Sequence, residues 1–222
     1  MGVRRFILIL ILIFLPLYLL LKITEQNAFN KNFYVKSYEK NGVVDISNRT
    51  LEELDTITED LFIYIKDKGD EMVLNPYFND MEIEHMKDVK ELFRKGYILK
   101  YLSLIISIIA LFFSIKNKKW LIEEGVFKGI FIWWGLMALL FLFTLLDFNK
   151  YFTYFHLIFF DNDLWLLDPN TDLLIQMLPE EFFISIFRRI VLFFSLSLAI
   201  IQIISYIIMK KEEDNSGGFT KF

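Results

Sequence analysis

Residues Phe6 to Leu21 form an uncharged run of Ile, Leu and Phe with Arg4 and Arg5 directly ahead of it. A run of this kind cannot stay in water, and it approaches the ~20 residues that cross a bilayer core. A cleaved leader would need small residues beyond the run. Lys22-Ile23-Thr24-Glu25-Gln26 supplies none, so the segment reads as a retained anchor. Three more runs follow: Tyr101–Ile115, extended backward to Tyr97; Gly129–Leu146; and Ile190–Met209. The chain is 55% hydrophobic yet 23% charged, so its charges must gather between these runs. The reading is an α-helical membrane protein with four transmembrane helices and a small α+β extracytoplasmic cap formed by two outer loops.

Basic residues in short loops orient such a chain. Arg4 and Arg5, then Lys116, Lys118 and Lys119, then Lys210 and Lys211, all fall on one side if the spans alternate. Both termini are therefore expected in the cytoplasm. The layout is residues 1–22 for the cytoplasmic end and first span, 23–96 for an extracytoplasmic domain, 97–115 for the second span and 116–125 for a cytoplasmic loop. It continues with 126–146 for the third span, 147–183 for a second outer loop, 184–209 for the fourth span and 210–222 for a tail, expected disordered from Glu212.

Several functions are argued against. A net charge of −4 leaves no basic footprint for nucleic acid. The absence of cysteine removes disulfides, thiolate metal sites and a cysteine nucleophile together. No GxSxG elbow and no phosphate-binding glycine loop is present. The spans carry few polar groups beyond Gln202 and Lys128, which argues against a solute path.

The first outer segment holds two strand-like stretches, Asn32–Val35 and Val43–Ile46, around the turn signal Asn41-Gly42, a hairpin pattern. Thr50-Leu51-Glu52-Glu53 is a capping box opening a helix toward Ile65, and Glu71–Leu74 reads as a short strand. Asp80 can cap a further helix running into the second span. At about 100° per residue, Met81, Glu82, His85, Met86, Val89, Leu92 and Phe93 share one face of it. Glu82 and His85 thus interrupt an apolar face three residues apart, within contact range. A packed, hydrogen-bonded histidine is the commoner outcome for such a residue. A carboxylate beside it is harder to dismiss, because burying either unpaired is costly.

The second outer segment opens with Asp147–Phe160, too polar for a span and too apolar to float free, and is expected along the membrane surface with His156 in its apolar half. Turns at Asp161–Asp163 and Asp168–Asp172 follow, and Pro179-Glu180-Glu181 starts a helix. His156 reads equally as an interfacial belt residue or as a functional one. Arg188 and Arg189 follow; most such pairs touch headgroups, but one could hold a phosphate or carboxylate. If the two outer segments pack together, the only two histidines of the chain meet, a pair suited to acid–base chemistry.

Phe78, Glu82, His85-Met86 and Asp88-Val89, with Phe155-His156, Phe160, Trp165, Asp172, Leu174-Ile175 and Pro179, resemble the pattern of the lipoprotein intramolecular transacylase family of Gram-positive bacteria. The resemblance covers nearly the whole chain and implies a substrate and a reaction. The substrate is a diacylglyceryl-modified lipoprotein held among membrane lipids, and its sn-2 acyl chain moves to the α-amine of the same cysteine. No cofactor and no metal are implied. The candidate catalytic residues are His85, as base toward the amine, and His156, as donor to the carbonyl or leaving oxygen, with the two roles interchangeable. Glu82 or Asp88 would orient His85; Asp163, Trp165 and Asp172 are supporting candidates, and Arg188 is the substrate-binding one. The alternative is a non-enzymatic membrane protein whose outer domain binds a peptide or partner. A zinc hydrolase, with Glu82 or Asp163 as third ligand, is a third reading that predicts loss of activity with chelator.

Overall fold

A computed structural model of the chain describes residues 2–115 and 125–217. The expectations for Lys116, Lys118 and Lys119, and for the last five residues of the tail, lie outside them. The described elements are α1 (Val3–Ala28), α2 (Lys31–Lys40), α3 (Val43–Ser47), α4 (Leu51–Ile65), a 3₁₀ turn (Glu71–Val73), α5 (Asp80–Ile115), α6 (Val126–Leu146), α7 (Phe148–Phe159), α8 (Leu173–Met177) and α9 (Glu180–Gly217). No strand occurs among the described residues.

The chain divides into two compact units. The first is Met1–Thr24, Ile98–Leu142 and Ile190–Phe222. Among the described residues three helical stretches are long and apolar enough to cross a membrane: Arg5–Ala28, Asp80–Ser114 and Glu180–Lys211. Val126–Leu142 is a shorter apolar one. Ile130, Met137, Phe194 and Leu198 form the core of this unit with Ile23. Interhelical hydrogen bonds add to it where water is scarce. Trp133 Nε1 donates to the Leu12 carbonyl at 2.7 Å, and Trp134 Nε1 to Gln202 Oε1 at 3.1 Å. The Gln202 amide donates on to the Phe127 carbonyl at 3.2 Å. Gly129 lets α6 approach α1 closely, since a Cβ there would run into the Leu12 side chain.

The second unit is Glu25–Tyr97 with Phe143–Arg189. Its core gathers Tyr34, Tyr38, Val43, Leu54, Ile57, Leu61, Leu74, Phe78, Ile83, Met86, Leu174, Met177 and Phe182. Here the hairpin expectation fails. Asn32–Val35 and Val43–Ile46 lie in α2 and α3, and the strand expected at Glu71–Leu74 is the 3₁₀ turn. This unit is helical among its described residues, without the strands expected of an α+β cap. The reason is visible in the burial: Tyr34, Ser37 and Tyr38 face inward at helical spacing, and the Asn30 side chain caps α2 by accepting from the Phe33 amide. Gly42, at φ +65°, turns a corner between helices and not between strands. The Thr50–Glu53 capping box forms as read. Tyr38, fully buried, donates to Thr58 Oγ at 2.7 Å, because the Thr58 hydroxyl itself donates to the Leu54 carbonyl. At the far end of the chain α9 stays helical to Gly217, past the expected start of disorder.

Candidate active site

The first turn of α5 sets the site. Its cap is Asn79 and not Asp80: Asn79 Oδ1 accepts from the Glu82 amide at 3.0 Å, and Glu82 Oε2 accepts from the Asn79 amide at 2.8 Å. The second oxygen, Glu82 Oε1, accepts from the Leu174 amide at the start of α8, at 2.6 Å. Glu82 is 2% exposed, and burial raises its pKa while these amides oppose the rise. Its carboxylate is thus engaged with backbone and ties two helix starts together, which places His85 one turn further along α5. Asp172 extends the same tie. It accepts from the Asn79 side chain at 3.0 Å and from the Asp168 amide at 2.7 Å.

His85 lies in the charged, first part of α5, ahead of the apolar run, and is 7% exposed. Its Nδ1 is buried with no hydrogen-bond partner. Burial, reinforced by the neighbouring His156, pushes its pKa down to about 4, against a smaller opposing pull from Asp88.

α7 supplies the second histidine. Asp147 caps it by accepting from the Lys150 amide at 3.1 Å. His156 is its one buried residue, while Leu157, Ile158 and Phe159 beside it are more than half exposed. His156 Nδ1 lies 2.7 Å from the Phe152 carbonyl. A carbonyl only accepts, so Nδ1 carries the proton. Burial lowers the pKa of this ring too, so near neutral pH it is uncharged and Nε2 holds a lone pair.

The two imidazole centroids are 6.1 Å apart. Aromatic rings enclose them. Phe160 is 5.3 Å from His85 and 5.5 Å from His156, Phe152 is 4.4 Å from His156, and Trp165 stacks on His156 at 4.8 Å with 27° between planes. The Trp165 indole Nε1 is likewise buried without a partner. Of the other candidates, Asp88 accepts from the Asn162 side chain at 2.8 Å, and so holds the turn that leads into Trp165. Asp163 is exposed and uses its backbone carbonyl to accept from the Leu166 amide. Arg188 is exposed, whereas Arg189 lies half-buried with its guanidinium 5.5 Å from the Phe33 ring centre. Among the described residues no three His, Cys, Asp or Glu side chains stand together as a metal site. Sequence reading missed Asn79, Asn162 and Phe152. Only Asn79 left a signal, an Asn-x-x-Glu cap one residue ahead of the Asp80 chosen.

The sequence profile of the lipoprotein intramolecular transacylase Lit matches residues 9–183. The chain belongs to the Lit family. Among solved structures, the in meso structure of the membrane-integral Lit from Bacillus cereus aligns with a TM-score of 0.86 at 24% identity, covering 95% of this chain and 97% of that one. A histidine-to-arginine variant of the same protein aligns at 0.81 and 23%, covering 96% and 94%. A histidine-to-alanine variant aligns at 0.81 and 24%, covering 95% of each chain. At such identity the likeness is one of fold. No curated protein sequence matches. As a Lit-family member the chain is a membrane protein of the acyltransferase class, whose family acts on lipoproteins by intramolecular transacylation.

Proposed function

We propose that this chain moves the sn-2 acyl chain of a diacylglyceryl lipoprotein to the α-amine of the same N-terminal cysteine, leaving an N-acyl, S-monoacylglyceryl lyso form. The observation that carries the reading is the meeting of His85 and His156, from separate segments, at 6.1 Å inside an aromatic enclosure. A buried neutral imidazole beside apolar rings suits proton transfer on a lipid-borne substrate.

The hydrogen bonds favour the exchanged roles. His156, fixed by Phe152 as the Nδ1–H tautomer, takes the amine proton on Nε2. The proton is released as the attacking nitrogen becomes positively charged, so a base of depressed affinity suffices. The same ring then returns it to the departing glycerol oxygen. His85, neutral and with Nδ1 free, donates to the oxygen that becomes negative. Donor and acceptor share one molecule, so holding it compactly supplies much of the rate. No covalent enzyme intermediate is needed.

In this reading α1, α5, α6 and α9 each cross the bilayer, with both termini in the cytoplasm and the histidines at the extracytoplasmic surface. α6, with 21 residues, spans about 31 Å at 1.5 Å per residue, enough for the hydrocarbon core. The test is mass spectrometry of lipoprotein N-termini from cells expressing the wild type, His85→Ala or His156→Ala at equal membrane level. Lyso product is expected from the wild type alone. Undiminished conversion by either variant removes that residue from the mechanism, and none by the wild type favours the partner-binding alternative.

A further inference from the structure

Buried indole N–H groups are normally paired, and that of Trp165 is not. The ring is also firmly placed. Asp88, one turn beyond His85 on α5, accepts from the Asn162 side chain at 2.8 Å, and Asn162 Oδ1 accepts from the Leu164 amide at 3.1 Å. The turn closes with the Leu166 amide on the Asp163 carbonyl at 3.0 Å. Trp165 is thereby held flat against His156 at 4.8 Å. Trp165 is half-buried, but its donor nitrogen is buried, unpaired and fixed next to the base.

We infer that the Trp165 indole N–H donates a hydrogen bond to the carbonyl oxygen of the ester being cleaved, and to the oxyanion that forms on it. An indole nitrogen only donates, so its partner must be an acceptor. The α-amine is no candidate, because its lone pair makes the new bond. Of the substrate's acceptors, the carbonyl oxygen of the cleaved ester is the one that gains negative charge beside the base, and a donor placed there does most for the reaction. As the amine nitrogen bonds to the ester carbon, the C=O π pair moves onto the oxygen held by Trp165, and the amine proton passes to His156. Collapse restores C=O, breaks the bond to the glycerol oxygen and returns the proton to that oxygen. Atoms and charge balance with no co-reactant. Asp88 then acts through Asn162 as a positioning residue for this donor.

This inference rests on the transacylase reading, and one assay separates the two. The probe is a synthetic dipalmitoyl-S-glyceryl lipopeptide with a free cysteine amine, given to full-length protein in nanodiscs. If the wild type yields no lyso product, the reading fails and the inference with it. With an active wild type, Trp165→Phe keeps a ring against His156 and loses only the N–H. Its kcat is expected to drop about 10²–10³-fold, the effect of removing one oxyanion donor. KM should change less than about threefold, and the acid limb of the pH profile should stay in place. Trp165→Phe at wild-type kcat, with Trp165→Leu inactive, would reduce the residue to packing and overturn the inference. Should Trp165→Phe fail to accumulate, ¹⁵N-indole spectra of the wild type decide instead. The Trp165 resonance, assigned by single Phe replacements of the other tryptophans, should move downfield on adding the unreactive N-acetylated lipopeptide. An unmoved resonance overturns the donor.

Discussion

At the scale of single residues, one carbonyl sets the tautomer of a histidine. Phe152 accepts from His156 Nδ1 and so decides which nitrogen of that ring is free. The pH profile follows. Both histidines have pKa values pushed below the ordinary histidine range, His85 to about 4. His85, so depressed, stays neutral as pH falls through about 6.5, and burial moves His156 in the same direction. The amine, with a reference value near 7.7–8, titrates above both. The logarithm of kcat/KM should therefore rise with unit slope from about pH 6.5 to 7.5 and level off above about 8. A slope of two around 6.5 would show a histidine of ordinary affinity and break the argument. Glu82 supports the pair from below. Glu82→Ala leaves the buried Leu174 amide and the part-buried Asn79 amide without their acceptor and should cost about 2–4 kcal/mol. Chemical denaturation of the purified protein measures it; a loss under about 1 kcal/mol would mean that water replaces the carboxylate.

Elements show where local sequence misleads. Asn32–Val35 and Val43–Ile46 carry aromatic and β-branched residues around Asn-Gly, a pattern that strands share. Packing overrode it, because Tyr34 and Tyr38 reach the same core only from consecutive turns of a helix. The helix signals that held were those with a hydrogen-bonding mechanism. Thr50 and Glu53 satisfy each other's amides at the start of α4. Thr50→Ala should therefore lower stability by about 1 kcal/mol, a measurable fall in unfolding midpoint. An unchanged midpoint would show that α4 is held by its buried face alone.

For the whole molecule, the orientation drawn from the basic loops is open to a direct chemical test. The chain has no cysteine, so single introduced thiols report cleanly. Glu39→Cys, exposed on α2, should react with a membrane-impermeant maleimide on intact cells. Lys210→Cys, exposed on α9, should react only after permeabilisation. The reverse pattern would invert the orientation drawn from the basic loops.

Hydrophobic runs and their flanking charges were legible because they are properties of consecutive residues: a bilayer reads them one segment at a time. The chain itself thus determined membrane residence and the long helix carrying His85, with its cap read one residue too late. Which groups would meet was a different matter. That His156 would lie 6.1 Å from His85, that Glu82 would be spent on the Leu174 amide and that Trp165 would be left with an unpaired N–H follow from contacts between residues far apart in the chain. Such contacts are set by how the helices pack and by which buried donors find acceptors, and only the tertiary structure decides that.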